Sequence, residues 1–291
     1  MSEDRPFKTV RIAAVVHAAP RRRAAETLER MDGWVAAARR EGAAVVCFPE
    51  MGVTGYGVDP GFAAEIEACG AAIPARLAAM AARHGMVVLA GFAERAPGGG
   101  LYATHLVTGP GGVVGSYRKL HVAPPEEALF RPGDAVPLFS AGGIRFGIQL
   151  CYDAHFPELA TRMALEGAEL LFIPHASPHG TPGEKRASWM RHLPARAFDN
   201  GLYVVACNPH GENGAGLHFP GVALAIGPDG RLLAEHGGGE GMMVFAFEER
   251  RLAEVRNHPL RYFLPRRRPE LYVPSPLKAE QGAPRPQSEG R

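Results

Sequence analysis

Short apolar runs rich in β-branched residues recur along the chain, separated by longer segments with a helical spacing of apolar residues. Residues 10–16 (VRIAAVV) show the first pattern, and residues 28–38, with apolar side chains at intervals of three and four, show the second. Alternation of this kind is typical of layered α/β folds, in which helices cover the faces of a sheet. We therefore expect an α/β protein.

The same criteria predict further strands and helices along the chain. Strands are expected at 44–48, 86–92, 101–107, 113–118, 144–150, 170–173, 202–207, 222–226, 232–234 and 242–247. Helices are expected at 73–84, 157–166 and 184–200, the last ending near Gly201. The sequence contains no internal repeat and no segment that resembles an interdomain linker.

The C-terminal end differs in composition from the rest of the chain. From Pro274 onward Pro, Gly, Gln, Ser and charged residues dominate, and apolar residues nearly vanish. Such a segment cannot bury enough apolar surface to offset its chain entropy. The sequence therefore predicts a flexible N-terminus at 1–8, one domain at 9–273 and a mobile tail at 274–291.

Charge and cysteine content exclude several classes of protein. With 32 Lys and Arg against 30 Asp and Glu, the net charge of +2 gives no reason to expect nucleic acid or an anionic membrane as a partner. No apolar stretch approaches the ~18 residues of a membrane helix, and the first residues lack the core of a secretory signal. The four cysteines form neither a CxxC pair nor a zinc-like cluster. We expect a reduced, cytoplasmic protein.

Three reactive residues each follow a predicted strand. Glu50 follows AVVCFP, Lys119 follows VVGSYR and Cys151 follows IRFGIQL. Because α/β folds place their sites in loops at strand ends, these residues can meet in space. A carboxylate can take the proton of a thiol, and an ammonium can stabilise the negative oxygen formed when the thiolate attacks a carbonyl. Taken singly, such residues are more often core or solvated side chains.

The segments around these residues resemble the three signatures of the nitrilase (carbon–nitrogen hydrolase) superfamily. They read Phe48-Pro49-Glu50-Met51-Gly52-Val53-Thr54-Gly55-Tyr56, Tyr117-Arg118-Lys119-Leu120-His121, and Leu150-Cys151-Tyr152-Asp153 followed by Phe156-Pro157-Glu158. Their order and approximate spacing agree with the family, over about residues 9–265. The resemblance implies a four-layer αββα sandwich, a homodimer or higher homo-oligomer, and a small-molecule substrate.

The resemblance also implies catalytic roles. Cys151 is the expected nucleophile, Glu50 the base and Lys119 the oxyanion partner, joined by the backbone N–H of Tyr152. A second glutamate after the lysine helps to place the substrate and the hydrolytic water. Glu126 and Glu127 both qualify by position.

Counting favours Glu126, because in related sequences this glutamate commonly lies six residues before the proline of a Pro-Gly-Asp turn. That turn is Pro132-Gly133-Asp134 in this chain. The alternative is that both glutamates are surface carboxylates in a loop.

The substrate pocket is expected near the same strand ends. The resemblance suggests substrate contacts for Tyr56, His155, His175 and Ser177, with ordinary loop hydrogen bonding as the alternative. His155 departs from the family, because many members carry Arg at this place. Asp153 and Glu158 are expected to fix local structure.

The resemblance implies hydrolysis of a non-peptide amide C–N bond through a thioester, with release of ammonia or an amine and without a metal or organic cofactor. An N-carbamoyl amino acid or amine amidohydrolase is the nearest alternative. A nitrilase is disfavoured because nitrile-cleaving members usually carry Cys-Trp-Glu where this chain has Cys151-Tyr152-Asp153. An acyltransferase and a non-catalytic binding protein remain as alternatives, and the substrate is not determined.

We predict that the tail is dispensable. Truncation after Ser275 should leave both activity and the thermal midpoint unchanged, because the removed residues are nearly free of apolar side chains. Thermal unfolding and ammonia release, measured on the full and truncated chains, check this. A large loss of either property would mean that the tail packs against the folded protein or a neighbouring subunit.

Overall fold

A computed structural model describes residues 6–69 and 72–272 of the chain. Two six-stranded mixed sheets pack face to face, and helices cover the outer face of each. This is the αββα sandwich that the sequence analysis predicted. Lys8, in the segment expected to be flexible, forms an ion pair with Glu169 at 2.9 Å. The predicted tail at 274–291 lies outside the described residues.

The described residues form fourteen strands and seven α-helices. The strands are β1 (Thr9–Val16), β2 (Val45–Cys47), β3 (Val87–Arg95), β4 (Leu101–Gly109), β5 (Gly112–Arg118), β6 (Phe139–Ala141), β7 (Ile144–Ile148), β8 (Leu170–Pro174), β9 (Tyr203–Cys207), β10 (His210–Glu212), β11 (His218–Pro220), β12 (Val222–Ile226), β13 (Leu232–Gly237) and β14 (Gly241–Glu248). The helices are α1 (Ala24–Arg40), α2 (Gly61–Cys69), α3 (Ile73–His84), α4 (Pro157–Leu165), α5 (Pro182–Trp189), α6 (Leu193–Asn200) and α7 (Glu249–Arg256).

The two sheets have the same pattern of strand pairing. The first has the order β14-β1-β2-β3-β4-β5, and the second, read from its other end, β6-β7-β8-β9-β12-β13. In each, one antiparallel pair is followed by two parallel and two antiparallel pairs. The two sheets therefore share one topology, although the sequence contains no internal repeat.

Strand β1 shows how one run of apolar residues serves two layers. Ile12, Ala14 and Val16 face the core between the sheets, while Ala13 and Val15 belong to the cluster that includes α1 and α3. Because successive side chains of a strand point to opposite faces, a strand covered on both sides must be apolar throughout. This accounts for the unbroken apolar runs of the sequence.

The prediction of one continuous helix at 184–200 was wrong, because the structure has two helices in this region. Helix α5 begins earlier, where Thr181 Oγ accepts a hydrogen bond from the Glu184 N–H (3.2 Å) and the Glu184 carboxylate accepts one from the Thr181 N–H (2.8 Å). Pro194 lies in the first turn of α6, where its missing N–H costs no helical hydrogen bond. Helix α6 ends at Gly201, whose φ of 55° suits a left-handed cap.

The other predicted elements appear within a few residues of their expected bounds. Helices α2 and α7 and strands β6, β10 and β11 were not predicted. The three strands are three residues long each, too short for a clear pattern. In residues 6–69 and 72–272, no helix combines the length and the apolar composition needed to cross a bilayer.

Gly91 on β3 allows the loop that carries Glu50 to lie against the sheet. A Cβ atom at this position would stand 2.6 Å from the Met51 nitrogen, 2.8 Å from the Pro49 oxygen and 2.9 Å from Glu50 Cα. All three are backbone atoms, so the loop itself would have to move. The Val53 N–H donates to the Gly91 carbonyl at 2.9 Å, which fixes the loop at this distance.

We predict that Gly91→Ala lowers the free energy of unfolding by about 1–3 kcal/mol, as overpacking does, and displaces Glu50. The matched control is Gly33→Ala in the exposed part of α1, where a Cβ meets nothing within 4 Å. That change should stabilise the protein by about 0.5–1 kcal/mol through helix propensity. Calorimetric melting of both variants tests the argument, and equal stability of the two would contradict it.

Candidate active site

The three strand-end residues meet between the two sheets. Glu50 lies just beyond β2, and Lys119 follows directly after β5, both in the first sheet, while Cys151 follows β7 in the second. Lys119 Nζ stands 3.0 Å from Glu50 Oε1. From the second sheet, the backbone N–H of Ala176 donates to Glu50 Oε2 at 2.9 Å. Each sheet therefore contributes part of one site.

Glu126 completes the cluster and is held by four hydrogen bonds. Lys119 Nζ donates to both of its carboxylate oxygens, at 3.0 and 2.8 Å. The Tyr56 hydroxyl donates to Oε1 at 3.2 Å, and the Ala123 N–H to Oε2 at 3.0 Å. Glu126 is 5% exposed, whereas Glu127 is exposed to solvent. The structure thus brings Glu126, and not Glu127, against the lysine.

The carboxylates of Glu50 and Glu126 differ in how many further hydrogen bonds they can accept. The four bonds to Glu126 fill the lone-pair sites of its carboxylate. Glu50 has fewer contacts, because Oε2 accepts from the Ala176 N–H and Oε1 faces only the Lys119 ammonium, at 3.0 Å, among the described residues. Glu50 therefore keeps acceptor capacity for a proton, and Glu126 anchors the lysine.

Burial gives Glu50 a pKa near neutrality. The residue is 1% exposed, and this desolvation raises the pKa of its carboxyl group from 4.5 to about 7. Lys119 lowers the pKa, whereas Glu126 and Asp153 raise it. A carboxyl group that titrates close to the working pH is suited to general base and general acid catalysis.

Lys119 keeps its charge although it is 1% exposed. Burial alone would lower its pKa, but Glu50, Cys151 and Glu126 outweigh burial and hold the pKa well above the ordinary value. An ammonium this deep in a protein needs such partners, because an uncompensated buried charge is costly.

Cys151 begins a 3₁₀ turn, Cys151–His155, in a strained backbone conformation. Its φ of 44° lies in the left-handed region, which non-glycine residues seldom adopt. The Asp153 carboxylate fixes this turn by accepting hydrogen bonds from the Tyr117 hydroxyl (2.7 Å), the Leu150 N–H (2.9 Å) and the His121 N–H (2.8 Å). The first N–H groups of a helical turn have no partner inside it, so the Tyr152 N–H is available to a ligand.

The thiol of Cys151 is protonated before substrate arrives. The residue keeps partial contact with solvent. Its protein surroundings nevertheless raise the pKa of the thiol to about 12, chiefly by desolvation and next by the charge of Glu50. Lys119 and the Ala176 N–H act in the opposite direction. The site therefore holds a thiol beside a base, and not a preformed thiolate.

The structure distributes the residues expected to contact substrate over different environments. Tyr56 binds Glu126, and His155 is exposed with its ring centroid 4.7 Å from that of His192. His175 is buried, donates through Nδ1–H to the Ile173 carbonyl at 2.7 Å and packs on Trp189.

Ser177 is the fourth of these residues. Its backbone N–H donates to Asn208 Oδ1 at 2.8 Å. Substrate contact by these four residues stays a prediction.

Sequence reasoning missed three residues near the reacting centre. The Ala176 N–H carries no signal in a sequence, because a backbone donor depends on geometry alone. Tyr117 was quoted inside the lysine motif without a role, and its bond to Asp153 links β5 to the cysteine turn. Lys185 was also missed, and its half-buried ammonium donates to Ser177 Oγ at 2.6 Å. In the part of the chain that the structure describes, no group of three His, Cys, Asp or Glu is placed to hold a metal ion.

The chain is similar to known amidases and nitrilases in sequence and in structure. The Omega-amidase NIT2 of Bos taurus is 31% identical over 243 residues, which are 79% of this chain and 86% of the relative. A nitrilase of Pyrococcus abyssi is 34% identical over 203 residues, covering 68% of this chain and 73% of that protein.

A mutant amidase from Nesterenkonia sp. AN1, solved with the acetamide moiety of fluoroacetamide covalently added at its active site cysteine, superimposes with a TM-score of 0.76 at 28% identity. The match covers 90% of this chain and 95% of that one. The family model for Carbon-nitrogen hydrolase matches residues 12–257. This chain belongs to the carbon-nitrogen hydrolase family.

Proposed function

We propose that the protein hydrolyses an amide-type C–N bond of a small molecule through a thioester on Cys151. The observation that carries the proposal is the buried cluster of Glu50, Lys119 and Glu126 beside a partly accessible thiol. The cluster supplies a base and a fixed positive charge, the two groups that cysteine attack on a carbonyl requires.

In the first half of the reaction Glu50 takes the thiol proton as the sulfur–carbon bond forms. The carbonyl oxygen becomes negative and is held by the Lys119 ammonium and the Tyr152 N–H. When this intermediate collapses, the C–N bond breaks and the leaving nitrogen takes the proton from Glu50. Ammonia or an amine departs, and a thioester remains on Cys151.

In the second half Glu50 takes a proton from water, and the hydroxide attacks the thioester carbon. Collapse of the second intermediate releases the acid, and the cysteine sulfur recovers its proton from Glu50. Glu126 holds Lys119 in place throughout, because its own acceptor sites are occupied. The family resemblance implies that this glutamate also helps to place the water. Glu126 can do so only if it exchanges one of these four hydrogen bonds for a bond to the water.

The nearest alternative is an N-carbamoyl amino acid or amine amidohydrolase, which uses the same attack on a carbonyl carbon and releases carbon dioxide as well as ammonia. Nitrile hydrolysis is disfavoured, since attack on a nitrile places charge on nitrogen, whereas a cation and a backbone N–H are matched to a negative oxygen. The homo-oligomer implied by the resemblance stays a prediction.

We expect Cys151→Ala to abolish ammonia release from a panel of small carboxamides and N-carbamoyl compounds while leaving the fold intact. The wild-type enzyme should hydrolyse these compounds well above the matched nitriles. Ammonia assays and circular dichroism provide the measurements. Cys207→Ala, which removes a thiol from the core, is the matched control and should keep turnover. Full activity of Cys151→Ala, or a nitrile cleaved faster than its amide, would contradict the proposal.

The pKa of Glu50 predicts the pH dependence. Below about pH 7 the carboxyl group is protonated and cannot act as base, so kcat/KM should rise with pH through about 7 and then level off. Glu50→Gln keeps the shape but removes the base, and should lower kcat by at least about 100-fold.

The control is Glu127→Gln, which changes an exposed neighbour of the cluster and should keep both the rate and the acid limb of the wild type. The measurement is the profile of kcat/KM against pH for the three proteins. A Glu50→Gln variant with nearly normal turnover would show that another group is the base.

A further inference from the structure

Lys185 is a half-buried cation without a carboxylate partner among the described residues. Its Nζ donates to Ser177 Oγ at 2.6 Å, which is a neutral acceptor. By comparison, the buried Lys119 lies between two glutamates, and Arg21 is paired with Glu65. Burial lowers the pKa of Lys185 below its ordinary value, and the opposing effect of Cys151 does not cancel it.

Ser177 is held in a fixed position by a buried amide. Its N–H donates to Asn208 Oδ1 at 2.8 Å, and Asn208 Nδ2 donates to the Ser177 carbonyl at 3.0 Å. Since the Ser177 oxygen accepts from Lys185, its own O–H remains free to donate. The ammonium has three N–H donors and uses one for this serine. Both side chains therefore keep donors that a bound anion could use.

Ser177 is next in the chain to a residue that contacts the reacting groups. Ser177 follows Ala176, whose N–H donates to Glu50 and acts on the thiol of Cys151. Cys151 is also close enough to Lys185 to raise its pKa against the effect of burial. A group bound by Lys185 would thus belong to the same molecule as an amide carbon placed at the thiol.

The other titratable groups on this side do not offer a negative charge. His175, on the loop after β8, and His192, just before α6, both have pKa values lowered by burial and are neutral near pH 7. Glu50 and Glu126 are engaged by Lys119, and Glu184, the residue before Lys185, accepts hydrogen bonds from Thr181. A counter-charge for Lys185 must therefore come from outside the protein.

We propose that Lys185 and Ser177 bind a carboxylate of the substrate, so that the enzyme acts on amides or N-carbamoyl compounds that carry a carboxylate group. The inference rests on the hydrolysis proposed above. A carboxylate accepts charge-assisted hydrogen bonds from an ammonium and a hydroxyl, and these are strongest in a partly desolvated site. A neutral amide would leave the ammonium uncompensated.

The test compares kcat and KM on matched substrates. Succinamate is paired with its neutral analogue isocaproamide, and N-carbamoyl-β-alanine with isopentylurea. In Lys185→Met, which keeps the length of the side chain and removes the charge, kcat/KM for the carboxylate substrate should fall about 10- to 100-fold, mainly through KM. The neutral analogue should change less than about 3-fold, within the effect of ordinary surface substitutions. If kcat/KM falls for only one of the two carboxylate substrates, succinamate or N-carbamoyl-β-alanine, that substrate shows where the carboxylate lies relative to the scissile bond.

Arg186→Met is the matched control, because it removes the same charge from the next residue, whose side chain is exposed and paired with Glu235. This control should leave both classes of substrate unaffected. An equal loss on charged and neutral substrates in Lys185→Met, or a wild-type enzyme that prefers neutral amides, overturns the inference and leaves the proposed hydrolysis standing.

A titration of Cys151→Ala with succinamate separates the two proposals, because it measures binding without turnover. Binding that is lost when Lys185→Met is added supports the carboxylate site even where no ammonia is released. Binding that is equal with and without Lys185 overturns it. Absence of ammonia release by the wild type from every amide overturns the proposed hydrolysis instead.

Discussion

The buried ammonium of Lys119 is the interaction on which the rest of the site depends. A cation that is 1% exposed persists only because Glu50 and Glu126 lie at 3.0 and 2.8 Å. Removing one partner of such a cluster leaves an uncompensated charge, at a typical cost of about 3–5 kcal/mol. The three residues therefore fix one another's positions, and the fold around them has to bring three distant segments to one point.

The sandwich meets this requirement through the ends of its strands. Sheet one supplies Glu50 and Lys119, and sheet two supplies Cys151 and the Ala176 N–H that binds Glu50. The close contact of Gly91 with the Glu50 loop and the bond from Tyr117 to Asp153 keep these ends in register. The apolar core between the sheets therefore sets the distance between Glu50 and Cys151, the proposed base and nucleophile.

Electrostatics also distinguish Glu50 from Glu126 and Lys119 from Lys185. Four hydrogen bonds make Glu126 an anchor for Lys119, while fewer contacts and a pKa of about 7 suit Glu50 to the proposed transfer of protons. Lys119 is compensated by two glutamates, whereas Lys185 is bonded to a hydroxyl. This difference is the reason why we propose a substrate carboxylate as the partner of Lys185 and not of Lys119.

The sequence by itself determined the α/β class, the bounds of most strands and helices, and the three strand-end motifs that identify the family. These features are local, since apolar periodicity and short motifs are written in consecutive residues. The tertiary structure alone decided the repeated pairing order of the two sheets and the break between α5 and α6. Counting along the sequence favoured Glu126 over Glu127, and the structure places Glu126 against Lys119. The place of Lys185 near the thiol was decided by the tertiary structure alone. Each of these depends on desolvation and on contacts between residues far apart in the chain, which spacing along the sequence does not encode.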